Sequence, residues 1–317
     1  MTREQPHPAE ALVEQQPPPP TDSQPPTVLK SSSYKEESNF PSDLKDFERN
    51  ALNQLKSKLQ EAIAGSTLFP RQEKDAADAH DGNRVEPVEI HHKGISLWGV
   101  PLLPSQGAKG VDVVLLKFLR AREFKVNEAF DMLTKTLKWR KESNIDSILD
   151  EDFGSDLRSA AYMNGVDRDG HPACYNIFGV FDSQDMYHKT FGTEEKRIEF
   201  LRWRLKLMEE GIQKLNMKPG GVSSLLQIND LKNSPGPAKK EIRVATKQAL
   251  AILQDNYPEM VAKNIFINVP FWYYALNALL SPFLTQRTKS KFVVAHPAKV
   301  TETPLKYVCY PILYQVD

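Results

Sequence analysis

The chain has 317 residues, enough for one large domain or two ordinary ones, and its 41 basic residues balance 41 acidic ones. The lack of a net charge argues against a global attraction to nucleic acid, for which a clustered positive excess is expected. The only two cysteines, Cys174 and Cys309, lie far apart in the sequence, so we expect reduced thiols in a cytoplasmic protein and not a disulfide framework.

The N-terminal region divides into three stretches of different composition. The first 41 residues hold nine of the 23 prolines and few large apolar residues, which predicts a disordered arm over 1–41. Apolar residues then recur at spacings of three and four, and this pattern predicts an amphipathic helix over 42–64 that either covers a core or binds a partner. Residues 65–94 are polar again and are predicted to be a linker.

The folded part is predicted to begin with a small helical subdomain over 95–150. Its two helices come from DVVLLKFLRAREF and NEAFDMLTKTLKWRKE, with Asn127 as the N-cap of the second. After a strand at ACYNIFG and a long helix, the sequence alternates between strands SSLLQIND, NIFINV and KFVVAH and helices at 237–255 and FWYYALNALL. Strands that alternate with helices predict an α/β fold with parallel pairing.

Residues 264–286 carry no charge, and this length nominally suffices to cross a bilayer. Pro270 divides the stretch into a short run of strand formers and a run of helical length, so a strand, a turn and a helix are predicted in place of a membrane span. The helix is apolar nearly all round, and Arg287, Lys289 and Lys291 follow it. It is either a central core helix or part of a surface for an amphiphile with an anionic head.

The motif search favours a protein without catalytic or metal chemistry. The sequence has no GxSxG or GxGxxG motif, and GISLWGV has Val100 where a phosphate-binding loop needs lysine. The DRDG at 167–170 partly matches an EF-hand loop, but Gly165 and Asn176 stand at the first and last ligand positions, so a reverse turn is predicted. We expect no metal, no cofactor and no enzymatic activity.

Five blocks resemble, in order and spacing, the CRAL-TRIO lipid-binding family typified by phosphatidylinositol transfer proteins. These blocks are DVVLLKFLRAREFKVNEAFDMLTKTLKWRKE, DRDGHP, LLQINDLK, DNYPEMVAKNIFINVPFWYYALNALLSPFL and TKSKFVVA. Together they span roughly Asp112 to His296. The flanking ISLWGVPLLPSQ and HPAKVTET are similar to the patellins, plant members of that family.

The resemblance implies a CRAL-TRIO fold over 151–303, with a mainly parallel sheet, an apolar lipid cavity and a movable gate helix. A closed gate agrees with the cost of leaving lipid tails in water, about 0.8 kcal/mol for each methylene. In an open gate the aromatic side chains would lie at the bilayer interface. The residues expected in the gate or cavity are Phe271, Trp272, Leu276, Leu279, Leu280 and Phe283.

The resemblance also implies positions for the lipid head group. Leu225 and Gln227 stand where phosphatidylcholine-binding members carry Ser and Thr, so a phosphoinositide is the expected ligand. Glu123 departs from the family, because the transfer proteins commonly have a second basic residue there. The positions that match the inositol head-group site are Arg122, Glu259, Thr288 and Lys291.

The function implied is non-enzymatic phosphoinositide binding or transfer at a membrane surface, in membrane trafficking and in cell division through cell-plate formation, with no nucleic-acid partner. Two alternatives stay open: an interaction module with a vestigial cavity, and a lipid-modifying enzyme, for which no nucleophile and base are recognisable. Similar patellins continue into a GOLD β-sandwich. Residues 304–317 are too few for such a domain, so we expect an atypical tail without GOLD or the partners that depend on it.

Overall fold

The computed structural model describes residues 35–68, 95–103, 110–236, 239–273 and 286–295. Its helices are α1 (Asp46–Ala64), α2 (Val111–Ala121), α3 (Val126–Glu142), α4 (Gln184–Phe191), α5 (Glu194–Ile212), α6 (Lys240–Asn256) and α7 (Gln286–Ser290). Its strands are β1 (Ser96–Leu97), β2 (Val100–Pro101), β3 (Ala161–Val166), β4 (Pro172–Ile177), β5 (Leu225–Asp230), β6 (Val261–Ile267) and β7 (Phe292–Val294).

In the described part of the chain the central sheet has five strands, in the order β3-β4-β5-β6-β7. Only β3 and β4 pair antiparallel, whereas β4 to β7 pair in parallel, so the predicted α/β fold with a mainly parallel sheet is confirmed. Strands β4 and β5 are buried along nearly their whole length, whereas β6 and β7 contain both buried and partly exposed residues. One face is an apolar cluster that contains Ala173, Tyr175, Leu226, Ile228, Ile265, Ile267, Val293 and Ala295.

Helix α1 packs against α2 and α3 in one continuous core. Its stripe of Leu52, Leu55 and Leu59 is at most 2% exposed, so α1, which begins four residues after the predicted start at 42, covers a core. Residues 69–94, most of the expected linker, lie outside the described residues.

Two local features differ from the sequence prediction. Helix α3 begins at Val126 with Lys125 as its N-cap, and Asn127 lies inside the first turn. The Asn127 side chain instead accepts a hydrogen bond of 2.7 Å from the Lys58 ammonium of α1. Strand β3 was not predicted, because AYMNGV lacks a clear alternation and its pairing with β4 is interrupted by a bulge between Met163 and Val166.

The end of the predicted arm lies against the folded domain. Residues 1–34 are outside the described part of the chain, but 35–41 are described. The Asn39 side chain exchanges two hydrogen bonds with the backbone of Gly220 and Gly221. The Phe40 ring lies so close to Gly220 that a Cβ there would be 2.4 Å from it. Composition alone did not predict this contact, which is made by one amide and one ring.

A buried polar network joins the N-terminal helices to the sheet region. Arg140 of α3 donates to the Glu209 carboxylate of α5 at 2.6 Å, and the Tyr257 hydroxyl donates to the same carboxylate at 2.7 Å. Arg140 also pairs with Asp146 at 2.7 Å. Because Arg140 and Glu209 are each at most 5% exposed, loss of either partner would leave an uncompensated buried charge.

Candidate anion-binding site

Cationic side chains converge at the edge of the sheet where the parallel strands β5, β6 and β7 begin. Helix α2 supplies Lys117 and Arg120, which lie three residues apart and therefore project from the same face. Arg287 and Lys291 come from α7 and the residue that follows it, just before β7. Glu259 lies between them, in the turn before β6. We call this group of five residues, four of which line one pocket, the cationic recess.

Lys117 is the most deeply buried cation of the recess. Its side chain is 3% exposed because α2 is apolar on nearly every side. The ammonium donates a hydrogen bond of 2.8 Å to the backbone carbonyl of Glu259. Burial lowers the pKa of Lys117 from 10.5 to about 7, although the charges of Glu36 and Glu259 oppose this shift. A buried amine of this kind binds most strongly to a group that brings negative charge into the recess.

Glu259 organises the other two cations. Its carboxylate contacts the Lys291 ammonium at 2.7 Å through Oε2 and the Arg287 Nε at 2.7 Å through Oε1. Burial alone would raise the pKa of Glu259, but the charge of Lys291 and the hydrogen bond from Arg287 outweigh it and lower the pKa. The backbone of Glu259 has a φ of +54°, a conformation that is uncommon for any residue other than glycine. Such strained positions cluster at functional sites.

The recess is occupied by a short stretch of the same chain, residues 35–40, which we call the acidic segment. The Glu37 carboxylate forms two parallel hydrogen bonds with Arg287, at 2.8 and 2.6 Å. It also lies 3.1 Å from the Nε of Arg120. The hydrogen bond from Arg287 lowers the pKa of Glu37, so this carboxylate is ionised at neutral pH.

Glu36 enters deeper than Glu37. Its carboxylate accepts a hydrogen bond of 2.5 Å from Ser224 and lies 2.9 Å from the Nε2 of His171. Burial would raise its pKa, but the bonds from His171 and Ser224 outweigh this effect and lower the pKa from 4.5 to about 2. The same segment therefore places two ionised carboxylates among the cations.

His171 connects the recess to the DRDG turn. Its Nδ1 lies 2.9 Å from Asp167, whose other oxygen accepts the backbone N–H groups of Asp169 and His171. Burial would lower the pKa of His171, but the bonds with Asp167 and Glu36 raise it from 6.5 to about 9. The reverse turn predicted for this sequence is confirmed, and its histidine is protonated at neutral pH.

Comparison with known proteins identifies the family. The CRAL/TRIO domain matches residues 158–309, and the CRAL/TRIO N-terminal domain matches residues 51–135. Patellin-4 of Arabidopsis thaliana is 47% identical over 94% of this chain and 71% of its own length. The chain belongs to the patellin branch of the CRAL/TRIO family. Patellin-5 and Patellin-3 of the same plant are 50% and 48% identical over 87% of this chain, which spans 37% and 52% of their lengths.

The fold agrees with that of more distant CRAL/TRIO proteins. The phosphatidylinositol transfer protein sfh-5 of Neurospora crassa is 28% identical over 72% of this chain and 69% of its own length. The crystal structure of Sfh5 superposes with a TM-score of 0.58 at 22% identity and covers 79% of this chain and 82% of that chain. This similarity establishes the CRAL/TRIO fold of the patellin relative described here.

The structure brings together part of the head-group set expected from the CRAL/TRIO resemblance. Glu259 and Lys291 are in contact in the recess, and Thr288 lies next to Arg287 in α7. Arg122 follows the last residue of α2, and its guanidinium donates to the carbonyl of Ala121. The head-group role of these four residues stays a prediction.

The expected gate is described only at its start. Strand β6 ends at Ile267 and residues 271–273 are helical, in agreement with a strand, a turn and a helix around Pro270. Phe271 is 86% exposed, whereas Tyr273 is buried against Phe266 with ring centroids 5.1 Å apart. Trp272 is partly buried. The other expected gate residues lie outside the described residues, namely Leu276, Leu279, Leu280 and Phe283.

None of the helices in the described ranges combines the length and the apolarity needed to cross a membrane.

Sequence reasoning missed Lys117, Arg120 and the acidic segment. One signal was present, because Lys117 interrupts the apolar run DVVLLKFL, and a lysine on the buried side of a helix needs a specific partner. The spacing of three residues from Lys117 to Arg120 would then have selected Arg120 over Arg122 as the arginine that faces the recess.

Proposed function

We propose that this chain is a phosphoinositide-binding protein that carries or presents its lipid at membrane surfaces, with the phosphorylated head group in the cationic recess. The observation that carries this proposal is the convergence of Lys117, Arg120, Arg287 and Lys291 beside Glu259. In the described residues Glu36 and Glu37 of the acidic segment balance much of this positive charge, so the site already holds anionic oxygen acceptors. A phosphate group supplies charge of the opposite sign and several oxygen acceptors for arginine and lysine.

The neighbouring apolar elements suit the lipid part of such a ligand. Phe271, at the start of the expected gate, exposes its ring, while Tyr273 packs on Phe266 of β6. Exposed aromatic side chains favour the interface between membrane and water. The relatives named as phosphatidylinositol transfer proteins support the same class of ligand. A role in membrane trafficking or cell division is the corresponding cellular proposal, and it rests on the similarity to patellins.

The proposal is tested by identifying and moving the lipid. The purified chain is extracted and its copurifying lipids are identified by mass spectrometry, and transfer between vesicles is measured with labelled phosphatidylinositol 4-phosphate, phosphatidylinositol and phosphatidylcholine. Replacing Lys117 by Met should reduce phosphatidylinositol capture at least ten-fold, because a charge-assisted hydrogen bond contributes about 1.5–3 kcal/mol. The matched control is Lys214→Met, which removes an exposed lysine after α5.

Two results would contradict this function. The first is a folded, lipid-free protein that neither captures nor moves phosphatidylinositol, which would favour an interaction module with a vestigial cavity. The second is an equal loss of capture in the Lys117 and Lys214 variants, which would show that only the overall charge matters. Melting curves of both variants separate lost binding from lost folding.

A further inference from the structure

We propose that the acidic segment is a built-in competitor of the lipid head group, docked in the cationic recess in the absence of ligand and displaced when an anionic head group enters. This inference rests on the proposed function and adds a means of regulating it. The segment places two consecutive carboxylates, Glu36 and Glu37, among the cations to which that function assigns the phosphate.

The contacts of the segment match those expected of a phosphate. Arg287 holds Glu37 through two parallel hydrogen bonds, the geometry with which arginine also binds phosphate oxygens. Arg120 contacts the same carboxylate through Nε and donates from Nη2 to the Ser38 carbonyl at 2.5 Å. A head group that uses these two arginines has to replace Glu37, because both would compete for the same N–H donors.

The acidic segment is anchored at its C-terminal end, whereas its two carboxylates can be displaced. Asn39 and Phe40 fix the segment beside Gly220, where a side chain would collide with the Phe40 ring. The carboxylate side chains of Glu36 and Glu37 remain 36% and 47% exposed. Ion pairs that are exposed to this extent contribute little individually, so a ligand can exchange with them. The anchor keeps the carboxylates at a high effective concentration near the recess.

The segment also interacts with groups that a mere surface tail would not reach. The Glu36 carboxylate contacts Ser224, the residue just before β5, and the buried His171. Between them, Glu36 and Glu37 neutralise two of the positive charges that surround the recess. Their removal leaves Glu259 and Asp167 as the carboxylates that contact these cations within the described residues.

The test compares the full chain with its variant Glu36→Gln/Glu37→Gln. The matched control, Glu61→Gln/Asp131→Asn, neutralises two exposed carboxylates on α1 and α3 and changes the net charge equally. The probes are phosphatidylcholine vesicles that contain phosphatidylinositol 4-phosphate, and vesicles of equal charge that contain phosphatidylserine. If the segment is docked in about nine of ten ligand-free molecules, its release strengthens phosphoinositide binding by about ten-fold.

We expect this gain only in the Glu36/Glu37 variant and only with the phosphoinositide. Hydrogen exchange of residues 35–41 should accelerate in the wild-type chain when phosphoinositide vesicles are added. Equal phosphoinositide affinity of the wild type and the variant would overturn the competitor and leave the proposed function intact. Equal gains in phosphoinositide affinity in the variant and the control would show that only surface charge matters, and this would also overturn the competitor. If no protein prefers phosphoinositide to phosphatidylserine, the proposed function fails, and the competitor with it.

Discussion

Replacing Lys291 by Ala tests the recess most directly, because this lysine serves both the fold and the proposed ligand. Its side chain is 8% exposed, and its ammonium lies 2.7 Å from the Glu259 carboxylate. The family resemblance implies a head-group role for Lys291 but does not predict its burial. The structure places it in a buried ion pair, so the substitution also changes stability.

The expected loss of stability depends on the bonds that Glu259 keeps in the Lys291→Ala variant. Removing one partner of a buried ion pair typically costs about 3–5 kcal/mol, because a charge is left without compensation. Glu259 keeps its bonds with Arg287, so we expect a loss of about 2–3 kcal/mol in the free energy of unfolding. Loss of a charge-assisted bond to phosphate should in addition weaken phosphoinositide binding about ten- to a hundred-fold.

The two effects are separated by a double variant. In Lys291→Ala/Glu259→Gln the uncompensated carboxylate is also removed, so part of the lost stability should return while binding remains weak. The matched control is Lys289→Ala, which removes a partly exposed lysine two residues away. Denaturant unfolding gives the stability, and titration with phosphoinositide vesicles at fixed salt gives the affinity.

Unchanged affinity of the Lys291→Ala variant would refute the assignment of Lys291 to the head group. Equal weakening toward phosphoinositide and phosphatidylserine vesicles would refute its specificity. Unchanged stability would show that the ion pair with Glu259 does not stabilise the fold, although both side chains are buried.

Three further outcomes follow from the contacts described above. His171 has a pKa of about 9 in the folded state and about 6.5 in the unfolded state. Its contribution to the free energy of unfolding is therefore complete below pH 6.5 and disappears as the pH rises through 9. The stability difference between the wild type and His171→Asn should therefore shrink by about 2 kcal/mol across that window in denaturant titrations. Arg140→Met should cost about 3–5 kcal/mol in thermal unfolding, and the added change Glu209→Met should restore only part of it, because the Tyr257 hydroxyl then loses its acceptor; a double variant as unstable as the single one would contradict the buried pair. Deletion of residues 1–34 should leave the melting temperature nearly unchanged, but deletion of 1–41 should lower it by a few degrees, and equal melting would show that the acidic segment does not pack.

Much of the fold follows from local patterns in the sequence. The stripe of α1 recurs at helical spacing, and strand β5 is buried along nearly its whole length. Strand β3 was not predicted, because its residues do not alternate between buried and exposed and Gly165 lies at its bulge with a φ of +63°. The N-cap of α3 was predicted wrongly, because the Asn127 side chain forms a hydrogen bond with Lys58, which is 69 residues away in the sequence.

The recess was predictable only in part. Glu259 and Lys291 were found through short blocks of sequence that resemble a family, and those blocks carry no information on helix phase. Which arginine of RAREF faces inward depends on where α2 ends, and it ends at Ala121. The acidic segment could not be found by composition, because the contact between Glu37 and Arg287 joins residues 250 positions apart. Proline-rich surroundings also gave residues 35–40 the appearance of a solvated tail.

The network of Arg140, Glu209 and Tyr257 limits how far this molecule can be treated as interchangeable modules. A chimera that joins the N-terminal helices of one patellin to the sheet of another would inherit the arginine from one parent and the carboxylate and phenol from the other. If the parents differ at any of these positions, the junction would bury an uncompensated charge or an unsatisfied hydroxyl. Grafting experiments should therefore transfer the three residues as one unit, wherever the crossover point is placed.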